Sequence, residues 1–116
     1  MPTHTMHLQD DLFTKLTSGR KTIEIRVNDP KRQKVNVGDE IVFIHAEDAH
    51  RTVNTLVHNR QDFKNFQDLL ATIPLSAIGY AKAEKNQLLE GLASFYAPDE
   101  EASFGVVAFY FSLADI

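Results

Sequence analysis

Three features of the sequence predict an α+β fold: a strictly alternating stretch from Thr22 to Val27, a nearly continuous apolar stretch from Gly105 to Leu113, and apolar residues at helical spacing elsewhere. Taken in order, the elements read β-α-β-β-β-α-α-β. Several strands in succession, with the last returning to the sheet, give a small curled sheet or open barrel flanked by helices. The 116 residues contain no repeat, low-complexity tract or Pro/Gly/Ser-rich linker, so residues 1–116 read as one domain.

The first element is short, with Met6-His7-Leu8 reading as an edge or first strand. A helix follows from Asp10 or Asp11, because Leu12, Phe13 and Leu16 share one face. Its acidic start suits the helix dipole, and Ser18-Gly19 supplies a glycine stop. In Thr22–Val27 the residues Ile23, Ile25 and Val27 form the core face, and Thr22, Glu24 and Arg26 the other. A loop rich in Lys and Arg, carrying Pro30, runs from Asn28 to Asn36. A turn at Val37-Gly38-Asp39-Glu40 introduces a strand from Ile41 to His45, and Ala46–Arg51 connects it to a second, Thr52 to about Asn59. Phe63, Phe66, Leu69 and Leu70 then define an amphipathic helix with Asp62 as N-cap and Pro74 near its end. Leu75–Gly79 reads as a single turn. Leu88, Leu89, Leu92, Phe95 and Tyr96 give a last helix from about Glu84, ended near Pro98. Gly105–Leu113 is expected to be a central strand covered on both faces.

Composition sets limits on chemistry. There is no cysteine, which excludes disulfides, thiolate metal sites and a Cys nucleophile. The longest apolar run, Phe104 to Phe111, is far short of the ~20 residues that span a bilayer. The opening Met1-Pro2-Thr3-His4 lacks the basic and apolar segments of a signal peptide, so the expected location is the cytoplasm, with no membrane partner. Net charge is −4, yet Arg20 to Lys34 holds six of the twelve basic residues and carries +4, leaving −8 on the rest. A basic stripe on an acidic body points to a local anion site, sized for a short ligand rather than an extended duplex.

That stripe contains the one concentration of chemistry. Glu24 lies between Lys21 and Arg26, and a carboxylate flanked by cations stays ionised and is oriented by them. Lys21 stands at the mouth of the strand, and Lys31 and Arg32 come from the loop after it. Such a set holds a phosphate by its cations while Glu24 accepts from an amino or imino group of a base. The competing account is a solvated strand face with cross-strand ion pairs of little energetic weight.

Ser18-Gly19-Arg20-Lys21-Thr22-Ile23-Glu24-Ile25-Arg26 resembles the G-x-K-x-x-E-x-R signature of the activating-signal-cointegrator homology (ASCH) domain family. Asn28-Asp29-Pro30-Lys31-Arg32, Val37–Phe43, and Phe95-Tyr96 with Glu100-Glu101 ahead of Phe104-Gly105-Val106 continue the likeness from Met6 to about Phe111. The resemblance implies a PUA-like small β-barrel, mixed and mostly antiparallel, of about five or six strands flanked by about three or four helices. It implies RNA or a nucleotide as partner, a cleft beside the signature strand, and Tyr96 near that cleft, where its ring stacks on a base or stays a core-edge tyrosine. The binding set is therefore Lys21, Glu24, Arg26, Lys31, Arg32 and Tyr96.

Enzymatic readings of the same cleft are a ribonuclease or a modified-nucleoside amidohydrolase. In them Glu24 acts as general base, and Lys21 and Arg26 stabilise developing negative charge. One branch of the family removes acetyl groups from acetylcytidine with a threonine nucleophile three positions after the signature lysine. Here Lys21 matches the lysine, but that position is Glu24, which cannot act as a hydroxyl nucleophile. A third class is an interaction module that binds no nucleic acid. The expected acting form is a monomer or weak homodimer.

Nothing else matches this in specificity. His4 with His7, and His45 with His50, Glu47 and Asp48, lack the three or four converging ligands of a metal site, and His58 reads as a surface or hydrogen-bonded histidine. No metal or cofactor is expected. Gly19 and Gly38 are single turn glycines, not a phosphate loop. The aromatic and leucine stripes of the two later helices read as core.

Overall fold

The computed structural model describes residues 2–114. Five strands, β1 (Thr3–Leu8), β2 (Ile23–Val27), β3 (Glu40–His45), β4 (Thr52–Phe63) and β5 (Val106–Leu113), form one sheet in the order β1-β3-β4-β5-β2. Only the β1–β3 pair is parallel, with Met6 opposite Phe43; the other three pairs are antiparallel. The expected mixed, mostly antiparallel curled sheet is therefore present, as a half-barrel whose edge strands are β1 and β2. Among the described residues six α-helices surround it: α1 (Asp10–Thr17), α2 (Pro30–Gln33), α3 (Phe66–Thr72), α4 (Leu75–Ile78), α5 (Lys85–Phe95) and α6 (Pro98–Phe104). A 3-10 turn at Lys82–Glu84 precedes α5. Among the described residues no helix is long and apolar enough to cross a membrane.

The helices exceed the expected three or four because two short ones carry no apolar periodicity. Helix α2 has no buried residue; Pro30 opens it and the Asp29 side chain caps it by accepting from the Arg32 N–H at 3.1 Å. It lies within what the sequence reads as loop. Helix α6 also buries nothing; Pro98 starts it, and Glu100 accepts from the Ala97 N–H at 3.2 Å. Capping and proline placement, rather than an apolar stripe, make both.

Strand β4 runs past the expected end at Asn59. A bulge at His58 resets the register, after which Asn59 to Phe63 pair with Tyr110 to Val106. Those polar side chains give no strand signal, because the pairing is made by backbone groups. Phe63 consequently ends a strand instead of starting a helix, and the cap of α3 is Asn65, whose side chain accepts from Asp68 N–H at 2.8 Å, not Asp62. Gly105 then turns the chain into β5 with φ +68°, and a Cβ there would lie 2.8 Å from the Phe63 carbonyl oxygen.

The sheet has an apolar face on each side. Ile23, Ile25, Val27, Val106 and Ala108 meet α3, α4 and α5 through Phe66, Leu69, Ile78 and Leu88. Met6, Leu8, Phe43, Val57, Val107, Phe109 and Phe111 form the concave core with Phe13 and Leu16 of α1. Strand β5 supplies both faces alternately, which is why its sequence is nearly all apolar. It is an interior strand as expected, although β4 holds the middle of the sheet.

Candidate functional site

The half-barrel is not closed between β1 and β2. Along this seam lies a cleft of about 410 Å³, bounded by β1, β2, the α2 turn, Tyr80 and α5. Lys21, Glu24, Arg26, Lys31, Arg32 and Tyr96 all line it. A larger concavity of about 580 Å³ between α3, α5 and α6 has one lysine and one carboxylate, Lys64 and Glu101, and Glu101 already accepts from the Phe66 N–H. Charge and aromatic rings are concentrated in the smaller cleft.

The strand face carrying Glu24 is not solvated. Lys21 and Glu24 are 1% and 4% exposed. Lys21 lies at the closed end of the cleft, not at a mouth, and its ammonium donates to the Ile23 carbonyl at 2.7 Å, the Ile78 carbonyl at 2.8 Å and Glu24 Oε1 at 3.1 Å. These three partners use all three donors of a lysine. Glu24 Oε1 also accepts from the Ile25 N–H at 3.1 Å, while Oε2 accepts from Arg26 Nε at 3.1 Å and Nη2 at 2.8 Å. The carboxylate thus has about four donors for about four lone-pair sites. Burial acts to raise its pKa, but Lys21 and Arg26 win and hold it at about 2. Burial pulls the Lys21 ammonium below the usual lysine range, against the upward pull of Glu24.

Toward the rim, Arg26 Nη2 also donates to the His7 carbonyl at 2.8 Å, and among the described residues its Nη1 has no hydrogen-bond partner. Arg32 Nη1 reaches Asp29 Oδ2 at 3.2 Å, whereas its Nε is buried without a partner. Lys31 is exposed. Tyr96 is half-buried, with its ring stacked on Phe66 at 5.8 Å between centroids and meeting Phe95 edge-on at 4.9 Å. Burial raises the Tyr96 phenol, and the nearby Arg26 and Arg32 cations offset that only in part. Phe95 itself is 76% exposed at the cleft edge.

Two contributors are absent from the sequence reading. Tyr80 lines the cleft, and burial followed by the Glu24 charge raises its phenol; its sequence signal is only an aromatic next to Gly79, whose φ of +110° turns the chain. Arg60 does not touch the cleft, but it anchors the turn that bears Lys31 and Arg32. Its guanidinium donates to the Arg32 carbonyl at 3.2 Å, the Val35 carbonyl at 2.6 Å and Asn28 Oδ1 at 3.1 Å. It lies in the part of β4 that the side-chain pattern hides.

The histidines pair elsewhere: His4 Nε2 with Asp39 at 2.9 Å and His45 Nε2 with Asp10 at 2.8 Å. Among the described residues no group of three or more His, Asp or Glu side chains is arranged to hold a metal ion.

A family model for the ASCH domain matches residues 6–114. Among solved structures, the hypothetical protein PH0355 is 24% identical with a TM-score of 0.82, the match covering 97% of this chain and all of that one. A Pyrococcus furiosus protein solved by NMR is 21% identical with a TM-score of 0.75, covering 99% and 100%. The ASCH protein of Zymomonas mobilis is 11% identical with a TM-score of 0.66, covering 95% of this chain and 66% of that one. At these identities the likeness is one of fold. The search of curated proteins found no match.

Proposed function

From the premise that this chain belongs to the ASCH domain family, we propose that it binds RNA or a nucleotide in the cleft along the β1–β2 seam. One observation carries the reading: guanidinium groups with unused donors, an exposed lysine and a tyrosine ring border a single cleft of about 410 Å³. Arg26 through Nη1, Arg32 through Nη2, and Lys31 take phosphate oxygens, for which charge-assisted bonds are the strong kind. Tyr96, backed by Phe66, takes the face of a base. Lys21 and Glu24 serve beneath them: Lys21 keeps Glu24 ionised, and Glu24 fixes the plane of the Arg26 guanidinium. A carboxylate held at about 2 and already accepting from four donors is a poor proton acceptor near neutral pH, so binding is the preferred reading over hydrolysis. The proposed setting is the cytoplasm, and the acting form a monomer or weak homodimer.

Fluorescence anisotropy with short single-stranded RNA and transfer RNA at several salt concentrations tests this. Affinity should fall log-linearly with salt, Arg32→Ala should flatten that slope by about 0.7 to 1, and Tyr96→Leu should weaken binding about tenfold. Absence of any affinity at low salt would refute it.

A further inference from the structure

The cleft is one of three concavities that meet at Tyr80. A second, of about 370 Å³, is bordered by Lys15, Arg20 and Glu84, and a third, of about 570 Å³, by Lys82 and Lys85. Tyr80 lines all three, and the second and third also share Ser76 and Ala81. Eight of the chain's twelve basic side chains border these three neighbouring concavities, against two of its sixteen carboxylates, Glu24 and Glu84.

Half of that charge is free to act. Lys21 and Arg26 are matched by Glu24, Arg32 by Asp29 at 3.2 Å and Lys15 by Asp11 at 3.2 Å. Among the described residues no carboxylate pairs with Lys31 in the cleft, Arg20 in the second concavity, or Lys82 and Lys85 in the third, so each part has at least one unpaired cation. All four are exposed. Aromatic faces accompany them: the exposed Phe95 and half-buried Tyr96 in the cleft, and Tyr80 at the junction, with Lys15 Nζ 5.9 Å from its ring centroid. Cations following a groove with rings between them suit unpaired bases, which offer free faces for stacking, and not a duplex, whose bases stack on one another.

We infer that the occupant is a single-stranded nucleic acid several nucleotides long, entering at the cleft and passing over Tyr80 toward Arg20, Lys82 and Lys85. This rests on the cleft reading above and extends it from one nucleotide to a strand. It also agrees with the acidic remainder of the surface, which repels a long polyanion away from the path.

The test uses fluorescein-labelled oligouridylates of one, four and eight nucleotides, an eight-nucleotide oligothymidylate, and an RNA duplex of eight base pairs. The eight-nucleotide strand should bind at least tenfold more tightly than the mononucleotide, with the four-nucleotide strand between them. Tight binding of either the RNA or the DNA octamer supports the path, and their ratio shows which sugar it prefers. Lys82→Ala/Lys85→Ala should weaken the octamer at least fivefold, leave the mononucleotide unchanged, and flatten the octamer's salt slope by about 1.4. Arg20→Ala should cost more than Lys64→Ala, a lysine off the path.

Equal affinity for one and eight nucleotides overturns the inference while leaving the cleft reading intact. Duplex binding as tight as single-strand binding, or an equal cost for Lys64→Ala and Arg20→Ala, overturns it too. Octamer binding that depends on Lys82 and Lys85 without mononucleotide affinity upholds the path and counts against the cleft alone. No binding at any length overturns both.

Discussion

Arg26 joins two strands that the sheet leaves apart: its Nη2 donates to the His7 carbonyl of β1 at 2.8 Å while the same nitrogen donates to Glu24 on its own strand β2. The edges of the half-barrel are therefore tied by a side chain where a closed barrel would use a backbone ladder. Replacing it should open the seam. Arg26→Ala leaves Glu24 buried with one cation fewer, and breaking a buried pair in this way costs about 3–5 kcal/mol. Urea unfolding measures the loss, and amide exchange at His7 and Leu8 should accelerate more than in the α3–α5 core. A loss under 1 kcal/mol would mean that the bridge adds nothing.

Acid should weaken the fold through Glu24. Its carboxyl is held at about 2, below the ordinary 4.5, so between those values the unfolded chain binds the extra proton. The stabilisation is complete above about pH 4.5 and disappears as pH falls toward 2, a difference of about 3 kcal/mol. Glu24→Gln should be less stable than the parent at pH 7, with the gap closing on acidification. Parallel stability curves for the two proteins from pH 7 to pH 3 would assign the acid sensitivity elsewhere, for instance to Asp39, which the Asn36 N–H and His4 also hold low.

Arg60 should matter to binding without touching a ligand. Its hydrogen bonds to Asn28, Arg32 and Val35 hold the α2 turn in place. In Arg60→Leu, exchange of the amides in residues 28–35 should quicken, and RNA affinity should fall about fivefold or more, consistent with the cost of ordering a freed loop on binding. Unchanged exchange in that segment would show that the turn stands without it.

The two candidate caps of α3 give opposite expectations. Asn65→Ala removes the acceptor of the Asp68 N–H and should cost about 1 kcal/mol. Asp62→Asn, at a side chain paired only with Arg60 on the surface, should change stability by less than about 0.5 kcal/mol. Denaturant midpoints distinguish them directly.

Much of the site was legible in the chain. The alternation Ile23-Glu24-Ile25-Arg26-Val27 separates core from cleft face as observed, and the spacing from Lys21 to Arg32, with Tyr96 added by the family resemblance, names residues that do share one cleft. Periodicity works there because one face packs into an apolar core while the other meets charged partners. It fails from His58 to Phe63, where the strand persists through backbone pairing after the side chains have turned polar, and at α2 and α6, which bury nothing.

By itself, then, the sequence determined the order of the strands and the longer helices, which face of β2 carries charge, and the concentration of cations around it. The tertiary structure decided what those charges do. Lys21 is buried because α4, 57 residues away, places the Ile78 carbonyl over its ammonium, and Arg26 is anchored because β1 curls round to present the His7 carbonyl. Whether a charged face is solvated or locked depends on its opposite wall, and that wall comes from distant segments brought near only when the sheet curls.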